Sequence, residues 1–451
     1  MGGRAAIILA AGKGTRMKSA KPKVLHEVAG LPMIDWSIAL ARAVGCDPIV
    51  VVVSPSQTEL KDSVEAKLGS GAIAVQSEPL GTGHAVGAAK SALADHAGTV
   101  VVLYADTPLI QADTIEALLA RTEEKSGVGV LGFEAEVPGA YGRLVTDGEA
   151  LDRIVEAKDA SADELAITFC NSGVMAAGRD DLFSLLGDVT NDNAKGEYYL
   201  TDIVGLAKAR GLGAHALNCD EADVMGVNSR VELAAVEHAF QVRRRTQALE
   251  DGVTMIAPDT IFFSHDTLVE TDVVLEPNVV FGAGVTVRSG ATIRAFSHLD
   301  GAEVRRGAIV GPYARLRPGT LLEEGVRVGN FVELKNTHMH EGAKANHLAY
   351  LGDGDVGAGA NIGAGTIFCN YDGFFKYRTT IGDGAFVGSN SSLVAPVAIG
   401  DGAYIGSGSV ITKDVPADAL AIARKQSVEK NGWALSFRTR MQAKKADGGT
   451  S

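Results

Sequence analysis

Between Leu275 and Ile411 an aliphatic side chain returns every six residues, and the register survives for most of that span. The cleanest stretch is Ile381, Val387, Leu393, Ile399, Ile405 and Ile411. Earlier stretches run Val269, Leu275, Phe281, Val287, Ile293, Leu299 and then Val310, Leu316, Leu322, Val328, Leu334. A short fixed period means one unit stacked on itself, here the hexapeptide of a parallel β-helix that turns through short strands and tight corners. The chain carries 54 glycines, gathered in this half, where corners need residues that accept positive φ. Disorder also enriches glycine, but it would not keep aliphatics in register. The pattern breaks between Leu299 and Val304. A longer excursion is expected between Leu334 and Leu351, carrying His338, His340, His347 and Tyr350. Another is expected over Cys369 to Thr380. Solenoid insertions project as loops, often on a binding face.

With 451 residues there is room for another domain or two. Residues 4 to about 227 alternate apolar runs with helix-like segments. Strands are expected at Ala6–Ala10, Ile49–Val53, Ala72–Gln76, Thr99–Tyr104 and Val128–Phe133. Helices are expected at Pro32–Val44, Gln57–Leu68, Gly83–Ala94 and Asp113–Glu124. Such alternation gives a Rossmann-like, mostly parallel sheet with helices on both faces and ligands at the carboxyl ends of strands. Ser229 can cap a long helix, with Glu232 in capping-box position and Leu233, Val236 and Phe240 as its apolar stripe. Arg243, Arg244 and Arg245 read as its solvated face. The expected division is an α/β domain over 1–228, a linker helix over 229–251 and a β-helix domain with its tail over 252–451. The tail after about Ala443, with Lys444, Lys445, Gly448 and Gly449, reads as disordered.

The net charge of −13 argues against general nucleic-acid binding, so basic residues that face a phosphate must act locally. Four cysteines, Cys46, Cys170, Cys219 and Cys369, lie far apart without metal spacing and read as free thiols of a cytoplasmic protein. No run approaches the roughly 20 apolar residues of a membrane span.

Leu9-Ala10-Ala11-Gly12-Lys13-Gly14-Thr15-Arg16-Met17 follows the first strand, and Pro22-Lys23 trails it. A dinucleotide fingerprint fails because Met17 holds the third glycine position, and the Walker A spacing is absent. A different phosphate loop fits: small residues admit backbone N–H groups to a triphosphate, while Arg16 and Lys23 supply charge. Gln76, Gly81 and Thr82 lie at or just after the third strand, where a base can be read. Tyr104 and Asp106 close the fourth, and a carboxylate there suits Mg²⁺.

At this point the chain resembles the sugar-nucleotidyltransferases, whose signature is L-A-A-G-x-G-T-R-M followed by P-K. The resemblance implies that Gly142, Glu156, Asn171 and Asn228 hold sugar, nucleotide or metal, with Asp106 and Asn228 as the metal ligands. That family usually has Gly where Ala105 stands.

Outward positions in the β-helix flank the inward aliphatics. Leu316 inward puts Arg317 out, and Leu334 inward puts Glu333 and Lys335 out. With His347, Tyr350, Asn361, Asn370 and Tyr371 they can line one cleft. The segments 314–319, 328–335, 347–353, 361–366 and 369–373 resemble the bifunctional N-acetylglucosamine-1-phosphate uridyltransferase/glucosamine-1-phosphate acetyltransferase family, over nearly the whole chain and in the same order. The resemblance implies a left-handed β-helix, a homotrimer, and small-molecule substrates that include UTP and acetyl-CoA. It implies that Arg317 and Lys335 hold a sugar phosphate and that Tyr350 and Asn361 hold the sugar. Ala364, Asn370, Tyr371, Ser389, Ser407 and Arg424 would sit at acetyl-CoA. A glucosamine amine is mostly protonated near neutral pH, so a base must take its proton. Imidazole, with a reference pKa of about 6.5, suits that role. His347 is the candidate, with Glu333 expected to orient its ring or favour the imidazolium. His338 and His340 match nothing in that pattern, and His340 with Glu341 and His347 fits no standard zinc spacing. A single-function nucleotidyltransferase with a regulatory or assembly β-helix would not need the outward set Arg317, Lys335, His347 and Tyr371, and a structural or exchange-factor subunit would not need Gly12–Arg16, Lys23 and Asp106.

Overall fold

The structure, a computed structural model, describes residues 3–148, 150–424 and 427–446. Contacts divide it into two compact units: Met1–Ala248 with Phe262–Asp266, and Leu249–Ile261 with Thr267–Ser451.

In the first unit the parallel strands are β1 (Arg4–Leu9), β2 (Cys46–Val53), β3 (Ile73–Val75) and β4 (Thr99–Tyr104). Then come β5 (Val128–Glu134), β6 (Arg143–Asp147), β7 (Ala150–Val155), β8 (Phe169–Gly178) and β9 (Ala214–Cys219). They form one nine-stranded sheet in the order β3-β2-β1-β4-β8-β5-β9-β7-β6. Strand β8 runs antiparallel to both β4 and β5, so the sheet is mixed. Alternation along β1 feeds two cores. Ala6 and Ile8 join one with Val51, Val53, Leu103 and the helices Met33–Ala43 and Ala112–Lys125. Ala5 and Ile7 join the other with Val50, Val52, Val102 and the helices Thr82–Ala88 and Asp202–Ala209. A strand covered on both faces reads as a continuous apolar run, which is why these strands were visible in the sequence.

The helix capped by Ser229 spans Arg230–Glu250, and Glu232 N–H donates to Ser229 Oγ at 3.3 Å. It groups with the first unit up to Ala248 and does not stand apart as a linker. Its arginines are not a solvated face either. Arg243 pairs with Asp223 at 2.5 Å, Arg244 lies over the Phe263 ring at 5.3 Å, and Arg245 is buried.

The second unit is three parallel sheets of ten, eight and eight very short strands. Strands pair with the third one after them along most of the stack, as in Leu275 with Ile293 and Leu334 with Leu351, so an ordinary coil takes 17 or 18 residues. The inward column is buried throughout: Leu316, Leu322, Val328, Leu334, Met339, Ala345, Leu351 and Val356. The excursion expected between Leu334 and Leu351 is therefore absent. That stretch is an ordinary coil whose inward residues are Met339 and Ala345, which an aliphatic pattern passes over. The second excursion is real. After Ile367–Cys369 the chain leaves the coil and returns at Thr379–Ile381. Phe368, 0% exposed, anchors the coil beneath it. Phe368→Ala is expected to cost about 3–5 kcal/mol of β-helix stability, read as a lower unfolding midpoint in denaturant.

One corner carries bulky residues in the left-handed region: Phe296 (φ 59°), Tyr313 (φ 55°), Phe331 (φ 56°) and Leu348 (φ 52°). Such φ values are uncommon outside glycine, asparagine and aspartate. The rings stack along the axis, Phe296 on Tyr313 at 4.9 Å and Tyr313 on Phe331 at 5.3 Å, and all four side chains are exposed. Lys444 and Lys445 lie in the last turn of a helix, Trp433–Ala446, while Gly448 and Gly449 fall outside the described residues. Among the described residues no helix is long and apolar enough to cross a membrane.

Candidate active sites, one on each unit

The first site sits at the carboxyl ends of β1, β3 and β4, where an open parallel sheet binds ligands. After Leu9 the chain crosses to β2, Ala10 N–H donating to Val52 O at 2.8 Å. Ala10 is buried and Ala11 half-buried, so the loop is pinned at its root. A Cβ on Gly12 would meet nothing within 4 Å, so the backbone there is open to a ligand. Gly14 has φ 60°, and a Cβ on it would fall 2.5 Å from Lys23 Cβ. The glycine is what lets the Lys23 stem lie against the loop. Met17, which broke the dinucleotide fingerprint, is a core residue, 1% exposed. Arg16 is exposed.

Lys23 reaches inward. Its ammonium forms an ion pair with Asp106 and donates to Asn228 Oδ1 at 3.1 Å. Asn228 is held in turn, its N–H donating to Glu232 Oε2 at 2.7 Å, and Val227 N–H donates to Asp106 O at 2.9 Å. Gln76 is buried and donates to Gly81 O at 3.1 Å. Gly81 (φ 109°) has no room for a Cβ, which would lie 2.6 Å from Tyr198 O. Thr82 Oγ1 accepts from Leu200 N–H at 3.0 Å. Burial pushes the Tyr104 phenol well up from its ordinary pKa, and the charges of Asp106 and Glu156 add to the effect. Glu156 accepts from Thr201 Oγ1 at 3.3 Å. Asn171 N–H donates to Gly142 O at 2.8 Å. Ala105 is fully buried with ordinary φ, so alanine there leaves the backbone undisturbed.

The second site lies on the β-helix. Neighbouring coils set Arg315 beside Glu333 and Glu333 beside Tyr350. Arg317 Nη1 donates to Glu333 Oε1 at 3.0 Å, and Arg315 lies 3.5 Å from the other oxygen. Lys335 lies 3.7 Å from Asp353. Asp353 accepts from Asn336 Nδ2 at 2.8 Å and from Asn370 Nδ2 at 2.6 Å. Burial alone would raise the Asp353 pKa, but those two amides and the Lys335 charge hold it below the usual carboxylate range. A Cβ on Gly352 would touch Tyr350 Oη at 2.4 Å and Asn370 Nδ2 at 2.7 Å, so these groups meet above that glycine.

His347 is exposed, and its Nδ1 lies 2.8 Å from Asn330 Oδ1. Glu333, expected to orient this ring, has its hydrogen bond from Arg317 among the described residues of the chain. It belongs to a different sheet of the coil, where Arg317 and Arg315 occupy it. Asn361 pairs in register with Lys344, on the strand that ends at His347. Ala364, Ser389 and Ser407 follow one another up the helix: Asn390 N–H donates to Ala364 O and Gly408 N–H to Ser389 O, both at 2.8 Å. Arg424 Nη1 donates to Ser407 O at 2.7 Å. Tyr371 is exposed on the inserted loop, which Asp372 braces by accepting from Phe374 N–H and Phe375 N–H at 2.8 and 2.7 Å.

The comparisons with known proteins agree across both units. Residues 6–189 match the MobA-like NTP transferase domain, and residues 378–413 match the bacterial transferase hexapeptide (six repeats). The chain is 61% identical to a protein named "Bifunctional protein GlmU" from Hyphomonas neptunium, over 98% of this chain and 96% of that one. It is 54% identical to the protein of the same name from Ruegeria sp., over 98% of both chains, and 56% identical to that from Caulobacter vibrioides, over 98% and 96%. The chain belongs to the bifunctional GlmU family. The fold expected from the sequence stands: an α/β unit of nucleotidyltransferase type and a left-handed parallel β-helix of hexapeptide repeats.

Within that GlmU frame the structure adds residues that the sequence reading passed over. Asn330 and Asp353 stand in the motifs, yet their partners, His347 and Asn370, lie 17 residues further on. Lys376, on the inserted loop, has its pKa held below the usual lysine range by a side-chain hydrogen bond with Lys335 and by that group's like charge. Gln57 Nε2 donates to Ala10 O at 3.0 Å and braces the glycine-rich loop from the next βα turn. A search for polar pairs separated by one coil length would have found the first two.

Proposed function

We propose that this chain catalyses two successive transfers at its two separate sites. In the β-helix, glucosamine 1-phosphate takes an acetyl group from acetyl-CoA. In the α/β unit, the resulting N-acetylglucosamine 1-phosphate attacks the α-phosphate of UTP, giving UDP-N-acetylglucosamine and pyrophosphate. The observation that carries this reading is that basic side chains meet carboxylates on each unit, Lys23 with Asp106 on one and Arg317 and Lys335 with Glu333 and Asp353 on the other.

At the first site both reactants are anions, so charge repulsion is a main obstacle. Arg16 and Lys23 hold the triphosphate and disperse its charge as the α-phosphate is attacked, with no covalent intermediate needed. Gln76, Gly81 and Thr82 lie where the base is read, and Gly142, Glu156 and Asn171 where the sugar is held. Mg²⁺ fits here. Asp106 and Asn228 already turn their side-chain oxygens on a single cation, the Lys23 ammonium, and one carboxylate plus substrate phosphates is an ordinary magnesium environment. When bound, the ion would neutralise phosphate charge.

At the second site Arg317 and Lys335, joined by Lys376, hold the sugar phosphate, while Tyr350 and Asn361 hold the ring. Asn330 presents a carbonyl oxygen, which can only accept, so His347 Nδ1 carries the proton and Nε2 is left as the base. Nε2 takes the amine proton as the nitrogen attacks the thioester carbonyl. The C–S bond breaks, and the coenzyme A thiolate leaves. Ala364, Tyr371, Ser389, Ser407 and Arg424 line the coenzyme A path. Asn370 serves it through the Asp353 clamp.

Asn330 is thus a positioning residue. Asn330→Ala is expected to lower kcat for acetyl transfer by roughly 10- to 100-fold, with little change in KM for the sugar phosphate and none in uridyl transfer. Steady-state kinetics of the two half-reactions check this, and Asn330→Asp, which keeps the acceptor, should recover most of the loss.

The exposed aromatic corner supports a homotrimer assembled through the β-helix, with a light-scattering mass three times that of one chain as the test. Four free cysteines support a cytoplasmic setting. Burial pushes the Cys46 thiol up to about 11 and the Cys219 thiol up to about 12. One mixture tests the whole reading: protein, glucosamine 1-phosphate, acetyl-CoA, UTP and Mg²⁺. Free thiol and pyrophosphate should both appear. Thiol without pyrophosphate, or neither, would contradict it.

A further inference from the structure

On another side of the β-helix, three successive coils bring together side chains that neither reaction uses. Leu322, Met339 and Val356 point inward in register, so their neighbours Glu323, His338, His340 and Asp355 stand outward as one patch. His338 Nε2 lies 2.8 Å from Glu323 Oε1, and His340 Nδ1 lies 3.7 Å from the same oxygen. The two rings overlap with centroids 3.9 Å apart. Three ligand atoms, one from each of Glu323, His338 and His340, lie within 4.8 Å of one another. The other nitrogen of His340, Nε2, lies 3.0 Å from Asp355 Oδ1.

We propose that Glu323, His338 and His340 bind one divalent transition-metal ion of the zinc class. Two imidazoles and a carboxylate are a ligand set that zinc accepts, with its fourth position left to water. The decisive detail is Asp355. Metal-bound histidines commonly donate their second ring N–H to a carboxylate, which fixes the tautomer and turns the lone pair to the metal. Asp355 is placed to do this for His340, leaving Nδ1 free to face Glu323. Arg378 lies 3.0 Å from Asp355, and Arg305 lies 3.6 Å from Glu323. The ion must therefore share Glu323 with one guanidinium, which sets the affinity below that of a buried site. Linear spacing hides the cluster, because Glu323 stands fifteen residues before His338, one coil away. Such an ion would clip adjacent coils together and stabilise the unit.

The test is a titration of full-length, chelator-treated protein with zinc chloride alone, beside the H338A/H340A double variant and Asp355→Asn. Wild type should bind one equivalent per chain that the double variant lacks, and D355N should bind it roughly 10- to 100-fold more weakly. Zinc should raise the unfolding midpoint of wild type and not of the double variant. Circular dichroism without metal establishes that each variant is folded, and Glu323→Gln replaces the double variant if that one is not. Equal stoichiometry and affinity in wild type and variant would overturn the proposal, since the ion would then sit on cysteines or on Asp106. An absence of binding would overturn it too.

Discussion

Replacing His347 with alanine is expected to cut acetyl transfer by ~10²–10⁴-fold, the usual worth of a general base, and to leave uridyl transfer at its wild-type rate. The ring is held by one hydrogen bond, from its Nδ1–H to Asn330 Oδ1, and the residue is exposed. The side chain is exposed, so the fold should stand. The cationic set of Arg317 and Lys335 stays intact, because Glu333 and Asp353 position it independently of His347. KM for glucosamine 1-phosphate should therefore change little, and the loss should fall on kcat. Following free thiol and pyrophosphate release separately checks both halves. Comparable acetylation by the variant would remove His347 from its role.

Lys23→Ala or Asp106→Ala should do the converse: nucleotidyl transfer falls by roughly 10²–10³-fold, the scale of losing one preorganised charge contact, and acetyl transfer continues. The Lys23 ammonium is mostly buried, with 9% of its side chain exposed, and Asp106 is its ion-pair partner. Removing either leaves the other charge partly desolvated, so some stability will also go. Thermal unfolding of each variant separates that loss from the catalytic one. Parallel loss of both activities in a folded variant would argue against two independent sites.

The fold was legible where one rule dominated. Strands β1, β2 and β4 are covered on both faces, so Ala5–Ile8, Ile49–Val53 and Val100–Leu103 read as apolar runs. The strands after β5 were harder. Strands β6 and β7 pair with each other at the sheet edge, and β8 is antiparallel, so neither the βα alternation nor a continuous apolar run marks them. In the β-helix the period of six carried the coils until Met339 and Ala345 took inward positions. The Gly12–Arg16 loop of the first candidate site was legible because its residues are consecutive. The second candidate site was legible only in part, because its contacts run across coils: Asn330 with His347 and Asp353 with Asn370, each 17 residues away. Glu333 is close in sequence to the His347 motif, but within the chain its carboxylate meets Arg317 and Arg315 from the neighbouring coil.

The most direct test of the two-site claim mixes two crippled proteins. Neither His347→Ala nor Asp106→Ala alone should turn glucosamine 1-phosphate, acetyl-CoA and UTP into UDP-N-acetylglucosamine at an appreciable rate. Combined in one tube, they should restore the product, because each supplies the half-reaction that the other lacks and the acetylated sugar phosphate diffuses between them. A mixture that stays silent, although each variant still performs its own half-reaction, would contradict two self-sufficient sites on one chain.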